Sequence, residues 1–270
     1  MTPEYKQLEL NTKSTLRNRL REFFIKNGVE DWKSRIDMSP SSPYINFYMG
    51  PNELGFEQER RLKPLPNVWF KCEHMVRKEE GTFEIPDSLK NGPGKLIYFS
   101  LGTLVNADVP LITRLLNIMK LSPNRFIISK GVSHKEIILA SNMWGDKYVK
   151  QTLVLPKVDL FITHGGHNSI IESFYYGVPG MIVLPIFADQ FDNAQRVQDM
   201  GYGIRLNAFE CTQEELLTAI DSLLNNLELK QKMKAIGERL RSLQYADMAA
   251  TKIEDLLAAK SNWCKDKKLI

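Results

Sequence analysis

The sequence predicts an α/β protein whose carboxyl-terminal part is a doubly wound parallel sheet, and three observations carry that expectation. From Lys95 onward, short apolar runs alternate with amphipathic stretches, the habit of strands that are each followed by a helix. Two of these runs, KLIYFSLG and LFITHGGHNS, end in a glycine turn just ahead of a helical pattern. The chain of 270 residues, with 43% hydrophobic and 25% charged residues, has the composition of a folded globular protein and the length of one large or two modest domains.

Residues 1–94 and 95–270 read differently, with the border at the turn cluster Lys90-Asn91-Gly92-Pro93-Gly94. The first part offers one helix over 15–26, where Leu16, Leu20, Phe23 and Phe24 share a face, and two short strands near 44–49 and 67–71. In the second part, KLIYFS is a buried strand and a helix follows from Asp108 to Lys120. RFIIS is the next strand, LFIT another, and a helix runs from Asn168 to Tyr176. MIVLP precedes a helix near 189–200, GIRL is a short strand, and helical patterns fill 212–225, 228–242 and 246–259.

Charge and cysteine usage exclude several functions. The net charge of +4 is spread along the chain, so it makes no case for nucleic acid and only permits anionic ligands. Cys72, Cys211 and Cys264 lie far apart, with no metal-ligand spacing and no disulfide framework. No stretch reaches the ~18 uninterrupted apolar residues of a membrane span. Met1 leads into polar residues rather than a signal peptide, so the chain as given is expected to be cytoplasmic, although a longer precursor would differ. Lys267-Lys268-Leu269-Ile270 matches a dilysine retrieval address, which acts on a membrane anchor that the chain as given lacks.

The run Phe161-Ile162-Thr163-His164-Gly165-Gly166-His167-Asn168-Ser169 has the pattern of an anion site. Glycines let backbone approach a ligand, and free N–H groups at the start of the following helix favour phosphate. Asn168 and Ser169 equally suit helix capping. Glu172, one helical turn beyond Asn168, is placed to accept hydrogen bonds from the vicinal hydroxyls of a ribose. Asp189 and Gln190, after the next strand, offer acceptors and donors to a polyhydroxyl group, although an Asp there is also an ordinary first-turn residue.

The longer run FITHGGHNSIIESFYYGVPGMIVLPIFADQFDNAQRV resembles the donor-binding signature of UDP-glycosyltransferases, and MWGDKYVKQTLVLPKVD resembles its upstream part. The resemblance covers roughly residues 43–260. It implies a GT-B fold of two Rossmann-like halves, with a UDP-sugar as co-substrate bound by the carboxyl-terminal half and no separate cofactor or metal. It places the donor diphosphate at Ser100, Gly102, Thr103, His164, Gly166, Asn168 and Ser169. Uracil and ribose fall at Tyr148, Gln151 and Glu172, and the transferred sugar at Asp189 and Gln190. Tyr148 stands where the family commonly has a stacking tryptophan, and Lys150 where it has a proline.

The same resemblance makes residues 1–94 the end of an acceptor-side domain plus linker. The family's base histidine, near the start of that half, is then expected to be absent, so the catalytic residue is left unassigned; loss of such a base costs on the order of 10²–10⁴ in rate. The implied activity is hexosyl transfer to a small lipophilic acceptor, a chemistry used in detoxification. Two alternatives stay open: a non-catalytic nucleotide-sugar binder, and a donor subunit that works with a separate acceptor-half partner or self-associates. An epimerase acting on the donor also fits a GT-B fold, whereas a nicotinamide enzyme is disfavoured because Gly102 is followed by Thr103-Leu104 rather than G-x-G-x-x-G.

Overall fold

The computed structural model describes residues 18–19, 21–28, 42–55, 68–77, 79–102 and 108–266, with side chains up to residue 258. The chain divides into two units, Met1–Phe47 with Leu65–Phe70, and Tyr48–Pro64 with Lys71–Ile270. In the smaller unit, residues 18–19 and 21–26 are helical, and the Asn27 amide closes the end by donating to the Phe23 carbonyl at 2.7 Å. The remainder of the helix expected over 15–26, including Leu20, lies outside the described residues, as do Thr103 and the Lys267–Ile270 address. Strands β1 (Asn46–Met49) and β2 (Trp69–Cys72) pair as a two-stranded sheet.

The larger unit holds a parallel sheet of β3 (Leu96–Ser100), β4 (Arg125–Ser129), β5 (Met143–Asp146), β6 (Leu160–Thr163), β7 (Met181–Val183) and β8 (Gly203–Arg205). Their order is β5-β4-β3-β6-β7-β8. The chain steps outward from β3 to β4 and β5, returns to lay β6 on the other flank of β3, and then steps outward again. This is the doubly wound order, and its direction reverses between β3 and β6.

Alternate residues of the strands feed opposite faces. Ile97 and Phe99 join one apolar cluster with Leu115 and Ile220, whereas Leu96 and Tyr98 join another with Val154 and Val178. With both faces covered, the central strands read as continuous apolar runs. Besides a single helical turn at Asp87–Lys90, the helices described are α1 (Val109–Met119), α2 (Gln151–Val154), α3 (His167–Tyr176), α4 (Gln190–Asp199), α5 (Gln213–Leu224), α6 (Leu227–Arg241) and α7 (Tyr245–Asp266). Side chains at the caps fix several starts. The Asp108 carboxylate accepts from Leu111 N–H, and the Asn226 side chain accepts from Leu229 N–H. Thr212 and Glu215 form a reciprocal capping box at α5.

Long-range polar contacts tie Asn52, Glu53 and Glu73 to the end of α6. Glu73 is buried and accepts from Asn52 N–H at 2.9 Å, from Arg239 at 2.8 and 2.7 Å and from the Tyr245 hydroxyl at 3.1 Å. Arg239 also donates to both oxygens of Glu53. Burial pushes the Glu73 carboxyl up, but the bonds from Arg239, Asn52 and Tyr245 outweigh it and hold the group below its ordinary value. Among the described residues no helix is long and apolar enough to cross a membrane, and no three His, Cys, Asp or Glu side chains gather as metal ligands. Cys72 and Cys211 are free and buried.

Arg239→Met leaves the buried Glu73 carboxylate without its cation, a change that costs about 3 kcal/mol at pH 7. Because the folded pKa of Glu73 is lowered, its stabilisation is present above the unfolded carboxyl value of about 4.3 and is lost as pH falls through the folded value. Urea unfolding curves of the variant and the parent should therefore differ most near neutrality and draw together in acid.

Candidate functional site

The carboxyl ends of β3 and β6 lie at the reversal of the sheet, where helices leave in opposite directions and a crevice opens. Ser100 pairs in register with Thr163, so the two glycine turns that follow are brought side by side. Gly102 has φ +76° and Gly165 φ +85°, conformations that a side chain makes costly. The space is as demanding as the backbone. A Cβ on Gly102 would lie 2.6 Å from the His164 ring, and one on Gly166 would lie 2.5 Å from it, so the imidazole is wedged between the two turns. The sequence suggested that these glycines admit a ligand; in the structure they first admit His164.

Gly166 is the N-cap of α3 and supplies no side-chain cap, so the helix meets the crevice with its start uncapped by a side chain. Asn168 and Ser169 do not cap the helix. Ser169 Oγ instead accepts from Gln151 Nε2 at 3.2 Å, and the same amide donates to Glu172 Oε2 at 2.6 Å. Ser100, Tyr148, Gln151, Asn168, Ser169 and Glu172 line one cavity of about 420 Å³. Tyr148 is 66% exposed, so its ring face is open to a flat ligand.

Asp189 and Gln190 stand apart from that cavity, behind the Gly165 turn. The Asn193 amide links the two regions, donating to Gly165 O at 2.9 Å and to Asp189 Oδ2 at 3.1 Å. Gln190 is buried, and its Oε1 accepts from the N–H groups of Ile186 and Phe187 at 2.9 and 3.1 Å. Just before them, Ala188 takes φ +54°, the one non-glycine among the described residues in the left-handed region.

Burial dominates the electrostatics. It lowers the pKa of His164, against the opposing pull of the Ser100 carbonyl and Asp189, and it lowers that of His167 against Asp189 and the Met49 carbonyl. Both imidazoles are therefore neutral near pH 7. Burial raises the Glu172 carboxyl, while Gln151 and Arg77 pull it down and Glu79 pushes it further up. Tyr98 is buried at the cavity floor, with its hydroxyl bonded to Ser100 and Ser129, and burial raises its pKa.

A family profile described as "UDP-glucoronosyl and UDP-glucosyl transferase" matches residues 58–242, well over half of the chain. The chain belongs to the UDP-glycosyltransferase family. It is 29% identical over 176 residues to UDP-glucuronosyltransferase 1A6 of Oryctolagus cuniculus, covering 63% of this chain and 33% of that protein. It is 29% identical over 190 residues to the uncharacterized UDP-glucosyltransferase YojK of Bacillus subtilis (strain 168), covering 69% and 46%. These matches span a third to just under half of the relatives' length. The solved glycosyltransferase of kitacinnamycin superposes with a TM-score of 0.69 at 20% identity, over 93% of this chain and 67% of that one. The fold is thus of the GT-B glycosyltransferase type.

Several lining residues escaped the sequence reading. Tyr98 shares a face of β3 with the expected Ser100 by strand alternation, which is a usable signal. Ser129 ends β4, and Lys147 and Thr152 flank the Tyr148–Gln151 stretch. Arg77 and Glu79 belong to no regular element, and nothing local in the sequence marks them as part of a site.

Histidine side-chain NMR checks the electrostatics: His164 and His167 are expected to titrate below the ordinary value of about 6.5. Asp189→Asn removes an attraction for both protonated rings and should move both titrations lower still. With depressed folded pKa values, the stabilisation from these rings is present above about pH 6.5 and is lost as pH falls through the folded values.

Proposed function

We propose that residues 95–270 form the donor half of a UDP-dependent hexosyltransferase, with the preceding segment leading in from an acceptor side across the Lys90–Gly94 border. The observation that carries this reading is His164, held between the two glycine turns at the reversal of the sheet where α3 starts, beside a cavity that holds the Gln151–Glu172 pair. The diphosphate is assigned to Ser100, Gly102, Thr103, His164, Gly166, Asn168 and Ser169. The nucleoside is assigned to Tyr148, Gln151 and Glu172. Asp189 and Gln190 are assigned to hydroxyls of the transferred sugar.

In the proposed reaction a hydroxyl oxygen of a small lipophilic acceptor attacks the anomeric carbon. The carbon–oxygen bond to the diphosphate breaks, and UDP departs with the electron pair. Charge develops on the leaving oxygen, where N–H groups at the start of α3 and the single N–H of neutral His164, turned from the Ser100 carbonyl to the ligand, act as donors. A neutral imidazole donates without carrying a charge that water must first release, so this stabilisation holds across the neutral pH range. The acceptor proton requires a general base, and none of the described side chains is given that role.

Calorimetric titration of UDP into the 270-residue chain tests the reading. Saturable binding that His164→Ala weakens by roughly 10- to 100-fold, the scale of one hydrogen bond to a charged group, is the expected result. Absence of binding by the folded protein would overturn it.

A further inference from the structure

The cavity has a second carboxylate that the donor assignment leaves unused. Glu79 lines it together with Glu172, from the irregular stretch ahead of β3. Two contacts hold that stretch against α2: the Thr152 hydroxyl donates to Glu79 Oε2, and Lys150 Nζ donates to the Glu80 carbonyl at 3.5 Å. Arg77 Nη2 stands 3.7 Å from Glu79 Oε1, close enough to pair electrostatically and too far for a hydrogen bond.

The oxygen inventory points to a division of labour. Glu172 commits Oε2 to Gln151 and keeps Oε1 for a ligand. Glu79 commits Oε2 to Thr152, while its Oε1 faces Arg77 at 3.7 Å and still has lone pairs to accept a hydrogen bond. A ribose offers two vicinal hydroxyl donors, and the cavity presents two carboxylate oxygens to meet them. Arg77 makes the arrangement affordable, because two carboxylates at one site raise each other's pKa unless a cation lies nearby.

We infer that Glu79 is a specificity-determining residue that accepts one of the two ribose hydroxyls, with Glu172 accepting the other. The inference rests on the donor-site reading above. It makes the chain selective for nucleoside diphosphates that carry both the 2′ and the 3′ hydroxyl. A deoxynucleotide leaves one half-buried carboxylate oxygen unpaired, and sites built to hydrogen-bond a hydroxyl reject analogues that lack it.

The test is calorimetry of the full chain with UDP, 2′-deoxy-UDP and 3′-deoxy-UDP, in the parent, Glu79→Gln and Glu79→Ala proteins, each first shown by its melting curve to be folded. The parent should bind UDP about tenfold or more tightly than either analogue. In Glu79→Ala the penalty for one analogue should disappear while the penalty for the other persists, and in Glu79→Gln, which keeps a neutral acceptor oxygen, the same penalty should shrink without vanishing. A uniform loss across all three ligands would mean that Glu79 only braces α2, and unchanged binding of all three would mean that it touches nothing; either result overturns the inference while leaving the donor site standing. A parent protein that is folded and binds no UDP overturns the donor-site reading and this inference with it.

Discussion

The His164 imidazole, wedged between Gly102 and Gly166, is the contact on which the site depends. It exists because β3 and β6 are sheet neighbours though far apart in sequence, with Ser100 opposite Thr163. Any side chain at Gly102 would push the ring out, and any shift of register between the strands would separate the two turns. One ring therefore couples sheet topology to site chemistry. It is buried, its pKa is lowered by that burial, and it lies beside the start of α3 that no side chain caps.

Around that contact, successive hydrogen bonds carry order outward. Asn193 joins the Gly165 turn to Asp189, so the loop after β7 is placed by the turn after β6. Gln151 joins Ser169 to Glu172, so the short α2 is placed by α3. On the far side, Arg239 and the buried Glu73 anchor the stretch that goes on to supply Arg77 and Glu79. Unlike exposed ion pairs, which contribute little, this one closes over a carboxylate that has lost its water.

The sequence was most legible where a strand is buried on both faces. LIYFS, RFIIS and LFIT stand out as apolar runs, and the structure places β3, β4 and β6 on them. The edge strand Met143–Asp146 carries no such run, since its Gly145 and Asp146 read as turn residues, and it went unread. The four-residue α2 is too short to show a helical period. Among site residues, those around His164 were legible because one turn and one helix hold them in a single contiguous stretch. Arg77 and Glu79 reach the cavity by crossing over α2, a contact between segments some seventy residues apart that no local pattern records. Gln190 was read for its polarity alone, whereas the structure shows that half of its amide braces the loop before it.

In the proposed reading, Gly102, the ring of His164 and the start of α3 act as one anion-binding unit. A crystal structure of the chain with UDP tests it most directly. The account predicts the diphosphate against the N–H groups of α3 and the His164 ring, with the ribose directed toward Glu172. A diphosphate bound elsewhere, with the crevice between β3 and β6 still empty, would contradict it.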